Sequence, residues 1–535
     1  MQPEDHYFRT LPEAELWQRY CGFLDLSIAE FMEIQEHLLN QQIELVADSP
    51  LGKKVLRNSK PSSVEEFRRV VPLTTYDDYE AFIGERQEEF LAVKPAAWCH
   101  SSGRGGSFKW IPYTQEALEV AGKLYVGYMI LATANRKGEV KIKPGERFVI
   151  NLPPRPYASG IFCESAARSF SLRLIPPLEE GENLEFQERI QLGFRMALRT
   201  GMDALSSISS VLVKLGERMS EEAQGIRLSS EMLHPRYLFT IVRGLLRSKW
   251  NRRVMLPKDL WSPRGIITGG TDTHIYKEGV AYYWGKVPWE VYGGTEIPGI
   301  AVQSWNKKWL TPIPYCAFLE FIPEEESIRS REDKSYQPHT VLLNDLEVGK
   351  IYEVILTQYY GMPLMRYRVG DAIQVVALSD SETGIKLPQI AFHSRVGETI
   401  DLAGLTRLTE KSIWQAIVNT GVKYEDWAAI KEYDDDQTFL RLYIELKEER
   451  EATEVEGLVD EQLKSVDTDY KDLDSYLGIQ PVKVTLLSGG TFDRYYQEKV
   501  KEGADLSHLK PPHMNASESL IQLLLQASEQ GRESG

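Results

Sequence analysis

The stretch HSSGRGGSFKWIPYT, from His100 to Thr114, combines glycines, hydroxyl side chains and one lysine, Lys109, before it becomes apolar. Glycines let a backbone approach an anion closely, and hydroxyls donate to phosphate oxygens. The preceding AAWCH predicts a short strand, and residues 114–136 predict a helix, so backbone N–H groups could converge on an anion between them. The stretch therefore fits a phosphate-binding loop, but it lacks the GxxxxGK[ST] spacing, and a polar surface turn also fits.

The rest of the chain alternates between helical and β-rich patterns. Apolar residues at three- and four-residue steps predict a helix over residues 28–46, and a capping box at Ser62 or Ser63 predicts another. Later runs such as RFVINL, GIITGG, CAFLEFIP and KIYEVILTQ are β-rich and predict a substantial sheet. This alternation indicates an α/β or α+β body.

The character of the sequence changes between Arg395 and Asp401. Beyond this point the patterns predict a helix, alternating strands around FLRLYIELKEE and an amphipathic helix from Val455 to Leu473. This is the content of a small α+β domain. We therefore expect a large N-terminal domain over residues 1–395 and a small C-terminal domain over residues 396–535.

The composition excludes several classes of function. A chain of 535 residues with a net charge of -16 is a poor candidate for a sequence-independent grip on nucleic acid or anionic lipid. Its one dense basic run, Val242 to Arg253, reads as a solvated helix face or a positively charged helix end. The four cysteines and nine histidines are scattered, which predicts reduced thiols and no zinc site. With no signal-peptide layout and no run long enough to span a bilayer, we expect a cytoplasmic protein without nucleic-acid or membrane partners.

Three further motifs carry possible chemistry. In VYGGTEIPG, Tyr292 could stack on a base and Glu296 could hold a hard cation, although a hairpin turn also fits. In MPLMRYRVGDAIQV, Asp371 could accept both hydroxyls of a ribose, although a Gly-Asp turn between strands also fits. In GADLSHLKPPHM, Lys510 precedes two prolines that stiffen its loop, and the alternative is an ordinary surface lysine.

The order of these four motifs resembles that of the acyl-adenylate-forming superfamily, which includes acyl-CoA synthetases, luciferases and adenylation domains. The details resemble the plant acyl-acid amido synthetases, the auxin-responsive Gretchen Hagen family, whose members carry YGSSE, LYRYRVGD and a late GTFD…K-x-PR segment. FRRVVPLTTYDDY is similar to their VPL-x-x-Y segment, and LWSPRGIITGGTDTHIY to their W-P-x-L stretch. The resemblance extends from about Phe31 to about His513.

The resemblance implies a large N-terminal acyl-adenylate-forming domain of β-sheets flanked by helices, plus a small mobile α+β C-terminal domain. It implies a ligase that makes an acyl-AMP from a carboxylic acid and ATP, with Mg²⁺, and passes the acyl group to an amine such as an amino acid. The residues implied in ATP binding are Ser101, Ser102, Gly103, Arg104, Gly106, Lys109, Tyr292, Gly293, Thr295 and Asp371.

Individual roles follow from the same resemblance. Tyr292 would stack on adenine, Thr295 would touch the α-phosphate, and Asp371 would bind both ribose hydroxyls. Glu296 would hold magnesium. Lys510 would neutralise the charge that builds between the attacking carboxylate and the α-phosphorus, and residues 395–401 resemble the hinge of the small domain.

One departure from the family pattern lies in the glycine loop. Arg104 and Gly105 stand where the superfamily has two threonines, so two phosphate-contacting hydroxyls are missing. A guanidinium fork suits phosphate, so Arg104 could compensate. Two other hypotheses remain open: an adenylating enzyme that uses coenzyme A or another thiol, and an inactive homologue retained as a binding protein. The acyl acid, the acceptor and the oligomeric state are not specified by any motif.

Overall fold

A computed structural model of the chain describes residues 2–100, 109–182, 184, 186–222, 234–269, 273–333, 335–396, 399–403, 405–434, 437–477, 480–501, 513–516 and 518–533. Within these residues the chain forms two compact units. The first unit extends to Ser394, and the second begins at Arg395. Each unit has a hydrophobic core of its own.

The first unit contains one large mixed sheet and a separate hairpin. Its strands are β1 (Ala97–His100), β2 (Trp110–Tyr113), β3 (Glu146–Asn151), β4 (Leu172–Ile175), β5 (Ala204–Ser207), β6 (Gly265–Gly269), β7 (Trp289–Tyr292), β8 (Ala301–Gln303), β9 (Leu310–Pro312), β10 (Ala317–Pro323), β11 (Ile351–Gln358), β12 (Tyr367–Ala377) and β13 (Gln389–Arg395). Strands β1 and β2 pair with each other, and the other 11 form one sheet in the order β10-β11-β12-β13-β9-β8-β7-β6-β5-β3-β4.

Parallel pairing aligns the ends of five of these strands. Each of β4, β3, β5, β6 and β7 pairs in parallel with its neighbour. Their carboxyl ends therefore lie at one edge, which is where open α/β sheets bind ligands. Tyr292 ends β7 at this edge. The sheet thus places the YGGTE motif where a nucleotide site is expected.

Helices of the first unit flank the sheet. They are α1 (Asp5–Thr10), α2 (Glu13–Cys21), α3 (Ile28–Val46), α4 (Pro50–Val55), α5 (Val64–Val70), α6 (Asp77–Ile83), α7 (Gln115–Thr133), α8 (Ala158–Ser169), α9 (Leu178–Gly181), α10 (Phe186–Thr200), α11 (Ser209–Glu222), α12 (Pro235–Trp250), α13 (Pro257–Leu260), α14 (Thr273–Trp284) and α15 (Glu324–Glu332). Helix α7 contacts β6 and β7, and α10 contacts β3. The predicted architecture, a sheet flanked by helices followed by a smaller C-terminal unit, is confirmed.

Helix α3 buries polar as well as apolar side chains. The amide of Gln35 donates to the carbonyl oxygens of Pro314 at 2.9 Å and Ala317 at 2.6 Å. About two helical turns further along α3, the amide of Gln42 donates to the carbonyl of Met362 at 2.7 Å. Buried amides of this kind must be paired because desolvation is costly. The helix therefore anchors two loops of the sheet, which its apolar stripe does not reveal.

The glycine loop begins and ends on strands rather than between a strand and a helix. Strand β2 pairs antiparallel with β1, with His100 opposite Trp110. Helix α7 starts only after β2, where Thr114 caps it by accepting from the N–H of Ala117. The sequence suggested a helix from Thr114 but gave no signal for a strand as short as WIPY. Residues 101–108 themselves lie outside the described residues.

The second unit is a small α+β structure. Its strands are β14 (Thr399–Leu402), β15 (Thr406–Thr409), β16 (Tyr424–Asp434), β17 (Gln437–Leu446) and β18 (Val482–Leu487). Strands β16, β17 and β18 form one sheet, and β14 pairs with β15. Its helices are α16 (Glu410–Asn419), α17 (Ala452–Val466), α18 (Thr468–Leu477), α19 (Thr491–Lys501) and α20 (Glu518–Glu533).

The amphipathic helix expected from Val455 to Leu473 is two helices. Asp467 interrupts it with an extended backbone. The Asp467 carboxylate accepts from the N–H of Tyr470 at 2.8 Å and from the hydroxyl of Thr406 at 3.2 Å. An aspartate that caps a new helix competes with continuation of the old one. The apolar periodicity runs through this break, so it could not reveal it.

The four cysteines lie within the described residues. All four cysteines are free and buried. Burial raises the pKa of the Cys163 thiol to about 12. In the part of the chain that the structure describes, no helix combines the length and apolar character needed to cross a bilayer.

Candidate active site

The YGGTE motif forms a tight loop between β7 and β8. The N–H of Ile300 donates to the carbonyl of Tyr292 at 2.7 Å, and the N–H of Gly294 donates to that of Ile297 at 2.9 Å. A Cβ at Gly293 would lie 2.9 Å from the carbonyl oxygen of Pro298. Glycine is therefore required at position 293 for the loop to close.

Side chains from three other elements hold this loop. The hydroxyl of Tyr113, on β2, donates to the carbonyl of Thr295 at 2.9 Å. The amide of Gln358, at the end of β11, donates to the carbonyl of Glu296. The Tyr128 hydroxyl of α7 is so close that a Cβ at Gly299 would lie 2.1 Å from it. The loop is thus fixed by the elements around it.

Tyr292 and Asp371 meet in the structure, although 79 positions separate them. The hydroxyl of Tyr292 donates to Oδ2 of Asp371 at 2.9 Å. Both side chains are nearly buried, with exposures of 8% and 3%. The ring of Phe392 meets that of Tyr292 edge-on at 5.8 Å. The side chains of two residues implied in nucleotide binding are therefore in direct contact at this edge of the sheet.

The Glu296 carboxylate lies within electrostatic range of Tyr76 and Tyr113. Burial raises the pKa of Tyr76 to about 12; the hydrogen bond to the Trp110 backbone opposes this, and the charges of Glu80 and Glu296 add smaller upward contributions. Burial and the same carboxylate also raise the pKa of Tyr113. A Cβ at Gly294 would lie 3.1 Å from a Glu296 carboxylate oxygen. The carboxylate is therefore folded over its own loop and is only partly buried.

The end of the glycine stretch is held beside these groups. The N–H of Trp110 donates to the Tyr76 hydroxyl at 2.8 Å. The ammonium of Lys109 donates to the hydroxyl of Tyr367 at 3.2 Å and lies 5.3 Å from the centre of the Tyr76 ring. Tyr367 begins β12, the strand that carries Asp371. The end of the glycine stretch, the YGGTE loop and the RYRVGD segment therefore lie close together.

The VPLTTYDDY segment lies directly against the RYRVGD motif. The N–H of Thr74 donates to the carbonyl of Arg366 at 2.9 Å, and the N–H of Arg368 donates to the carbonyl of Thr74 at the same distance. The N–H of Met365 donates to the Tyr79 hydroxyl at 2.8 Å. The VPLTTYDDY and RYRVGD segments, about 290 residues apart in sequence, therefore pack against each other. The VPLTTYDDY segment holds the RYRVGD segment in position.

The two arginines of RYR are ion-paired inside the first unit. Arg366 binds Glu320 through Nε at 3.0 Å and Nη2 at 2.9 Å. Arg368 binds Glu353 through Nε at 2.8 Å and Nη2 at 2.6 Å. Both glutamates are almost fully buried, with exposures of 1% and 2%. Sequence reasoning missed these pairs, and the R-Y-R alternation does not reveal them, because Arg366 precedes β12 and has a positive φ of 44°.

Residues 157–162, which include the start of α8, adjoin the β1–β2 hairpin. The ring of Tyr157 lies 4.4 Å from that of His100, and the N–H of His100 donates to the carbonyl of Pro156 at 3.1 Å. The ring of Phe162 meets that of Tyr113 at 5.2 Å. Residues 157–162 are therefore packed on the strands that lead into and out of the glycine stretch.

Six of the predicted site residues lie within the described residues, and six lie outside them. Lys109, Tyr292, Gly293, Thr295, Glu296 and Asp371 are described and belong to the first unit. Those outside the described residues are Ser101, Ser102, Gly103, Arg104, Gly106 and Lys510.

The residue that follows the KPP sequence of the second unit is tightly anchored. His513 contacts Glu410 through Nδ1 at 2.6 Å and Asp426 through Nε2 at 2.8 Å. Its ring stacks on Trp427 at 4.4 Å and 12°. Burial alone would lower its pKa, but the hydrogen bonds to Asp426 and Glu410 outweigh burial and raise the pKa of His513. The imidazole ring is thus held between two carboxylates, three residues after Lys510 in sequence.

We expect His513→Gln to lower the free energy of unfolding by about 2 kcal/mol at pH 6, since it removes hydrogen bonds to charged groups. A raised histidine pKa stabilises the folded state at low pH, and this stabilisation is lost as the pH rises through the folded-state pKa. The difference in free energy of unfolding between wild type and variant, measured by urea titration, should therefore become smaller from pH 6 to pH 9. A difference that stays constant over this range would show that the imidazole is not charged in the folded protein.

Comparison with known structures defines the class of fold. Over 98% of this chain and 94% of the other, the structure is similar to that of a 2-hydroxyisobutyryl-CoA ligase in complex with its adenylate and CoA, with a TM-score of 0.53 and 12% identity. The fold is that of the adenylate-forming enzymes.

The sequence places the chain more narrowly. Models of the GH3 family N-terminal, central and C-terminal domains match residues 22–171, 310–395 and 410–519. The chain belongs to the GH3 family, the Gretchen Hagen family that its motifs resemble.

Curated relatives are distant but span most of the chain. The chain is 21% identical to an indole-3-acetic acid-amido synthetase of Arabidopsis thaliana over 92% of each protein. It is 22% identical to a 4-substituted benzoates-glutamate ligase of the same plant over 93% of this chain and 97% of that protein. The match to a jasmonoyl-L-amino acid synthetase of Oryza sativa subsp. japonica, at 25% identity, spans only 49% of this chain and 47% of that protein.

Proposed function

We propose that this chain is an ATP-dependent acyl-acid amido synthetase, which adenylates a carboxylic acid and transfers the acyl group to an amine such as an amino acid. The observation that carries the proposal is the convergence of Tyr292, Glu296, Asp371 and Lys109 at the carboxyl edge of the sheet. Membership of the GH3 family supports the same activity. The named relatives that conjugate acids to amino acids favour an amine over a thiol as acceptor.

The nucleotide would occupy the edge beside the YGGTE loop. Tyr292 and Asp371 would hold the adenosine, and their mutual hydrogen bond keeps the Asp371 carboxylate in one orientation. Thr295 and Gly293, in the closed loop, would face the α-phosphate. Lys109, which directly precedes β2, would add positive charge. The residues that would line the phosphates are Ser101, Ser102, Gly103, Arg104 and Gly106. These roles of individual residues are our proposal.

A magnesium ion would fit at Glu296. Its carboxylate is a hard oxygen donor that is partly accessible, as Mg²⁺ requires. Within the described residues no three histidine, cysteine, aspartate or glutamate side chains are grouped to hold a metal. The remaining ligands would then be phosphate oxygens and water, which is the usual coordination of Mg²⁺ at nucleotides. When bound, the ion would offset charge on the phosphates.

Catalysis would consist of placement and charge stabilisation. The carboxylate substrate and the triphosphate are both anions and repel each other, so holding them in contact costs free energy. Lys510, carried by the C-terminal domain of residues 396–535, would reduce this repulsion as the bond to the α-phosphorus forms. A movement of that domain between the two half-reactions is part of the proposal.

We expect Glu296→Gln to slow acid-dependent pyrophosphate release by about 100-fold and to raise the magnesium concentration needed for half-maximal rate. The amide keeps the shape of the side chain but removes its charge. Release would be followed with a coupled phosphate assay during a magnesium titration. The matched control is Glu116→Gln, an exposed glutamate on α7. If both variants need the same magnesium as wild type, Glu296 does not hold the ion.

The function itself is tested by a substrate screen. The full chain would be incubated with ATP, magnesium and panels of aryl, indolyl and aliphatic acids, with each of the common amino acids or coenzyme A as acceptor. Pyrophosphate release and product mass are measured. Amide products support the proposal, thioester products favour the thiol alternative, and no acid-dependent pyrophosphate release across the panel favours a non-catalytic binding protein.

A further inference from the structure

Helix α12 and its flanking residues are strongly basic, although the chain as a whole is acidic. Residues 234–254 contain six lysines and arginines and no aspartate or glutamate, whereas the whole chain has a net charge of -16. The helix also lies between the stretches that match the family domains, which end at residue 171 and resume at residue 310.

Five large apolar side chains of α12 face outward. Its inner face carries small residues, Gly244 and Ser248, which are buried. A Cβ at Gly244 would lie 2.6 Å from the side chain of Leu260 on α13, so the packing there is close. The exposed large apolar residues, with their exposures, are Leu238 (48%), Phe239 (67%), Val242 (44%), Leu246 (65%) and Trp250 (89%).

These five residues form one continuous stripe, which we call the outer stripe. At 100° per residue they fall within about 120° of arc, opposite the buried face. Monomeric proteins rarely leave a contiguous apolar patch in water, so such a stripe marks a surface that is covered in use. The stripe is a convex ridge along a helix and not a groove.

Cations border the outer stripe. Arg236, Arg247, Lys249 and Arg252 are exposed. Among the described residues, none of these four is paired with a carboxylate, whereas Arg253 binds Asp259 at 2.6 Å. Within the described residues, the surface therefore presents both an apolar ridge and positive charge that is not paired with a carboxylate.

We propose that the outer stripe binds an anionic lipid surface, with its apolar side chains at the level of the headgroups and the cations against lipid phosphates. A helix with aromatic and aliphatic residues on one side and lysines and arginines beside them is the pattern of interfacial helices. Its 16 residues span about 24 Å, shorter than the hydrocarbon core of a bilayer, so it would lie in the interface.

Charge decides between lipid and a second copy of the chain. A two-fold interface would place the outer stripe against itself, and the bordering cations would then face each other. An anionic membrane instead supplies the opposite charge over the whole length of the helix. The net charge of the whole chain suggested no membrane partner. Net charge is a sum over all residues, so it does not show that one surface is locally basic.

The experiment is vesicle flotation of the full chain, and it does not depend on the proposed enzymatic activity. Vesicles contain phosphatidylcholine alone or with 30% phosphatidylserine, at about physiological salt and at about 1 M salt. The test variant is Phe239→Ser with Trp250→Ser. The matched control is Trp414→Ser, a tryptophan on α16 of the second unit that is 44% exposed. A charge variant combines Arg247→Gln with Lys249→Gln.

We expect wild type and Trp414→Ser to float with the anionic vesicles, and high salt to release them. The aromatic variant should lose about 100-fold in partitioning, and the charge variant about tenfold. All variants should keep the wild-type unfolding midpoint, since the altered side chains are exposed.

Three results would overturn the inference. One is wild type that floats with neither kind of vesicle. Another is binding that the aromatic and charge variants retain. The third is a wild-type dimer in sedimentation velocity that becomes a monomer in the aromatic variant, because the outer stripe would then be covered by a second copy.

Discussion

Lys510→Ala is expected to lower acid-dependent exchange of labelled pyrophosphate into ATP by about 1000-fold, without unfolding the protein. The reason is electrostatic, since the lysine would stabilise charge that develops only as the carboxylate reaches the α-phosphorus. Removing a single such group in other enzymes costs about 100- to 1000-fold in rate. Substrate binding depends mainly on other groups, so the KM for ATP should change far less than kcat.

The matched control is Lys411→Ala, because Lys411 is an exposed lysine on α16 of the same unit. It should exchange pyrophosphate at the wild-type rate. Synthetic acyl-AMP supplied to Lys510→Ala should still be converted to amide, since the proposed role belongs to the first half-reaction. Exchange by Lys510→Ala at the wild-type rate would refute the assignment of this lysine while leaving the fold and the family untouched.

Arg368→Ala is expected to lower the free energy of unfolding by about 3–5 kcal/mol, the range for breaking a buried ion pair. Glu353 is 2% exposed, and its carboxylate also accepts from the hydroxyl of Ser327. Loss of the guanidinium therefore leaves a carboxylate without its cation in a low-dielectric environment. Urea titration of the full chain measures the effect.

The second substitution Glu353→Gln, added to Arg368→Ala, should recover part of the loss because it removes the buried charge. The surface control is Lys308→Ala. Lys308 pairs with Glu382, and both side chains are 55% exposed, so its loss should cost less than about 1 kcal/mol. If Arg368→Ala and Lys308→Ala are equally stable, the Arg368–Glu353 pair does not support the strand that carries Asp371.

The second of these predictions concerns residues that support the proposed nucleotide site within the first unit. The Tyr292–Asp371 contact and the Lys109–Tyr367 contact form the surface that would meet the nucleotide. Behind it, Arg368 and the Thr74 segment hold β12 in place. The site therefore depends on buried charges that never meet the substrate.

The sequence by itself determined the class of fold, the family and the identity of the motifs. Glycines, a lysine before prolines, and alternating apolar residues are local signals, because backbone freedom and amphipathic periodicity act over a few residues. The helix from Ile28 to Val46 was predicted on this basis and is observed.

Only the tertiary structure decided what lies beside what. The contact of Tyr292 with Asp371, the position of the Thr74 segment on RYR, and the buried partners of Arg366 and Arg368 join residues far apart in sequence. The break at Asp467 and the outward apolar face of α12 are of the same kind. Periodicity shows that a helix has two faces, but which face is covered depends on the neighbours that folding brings to it.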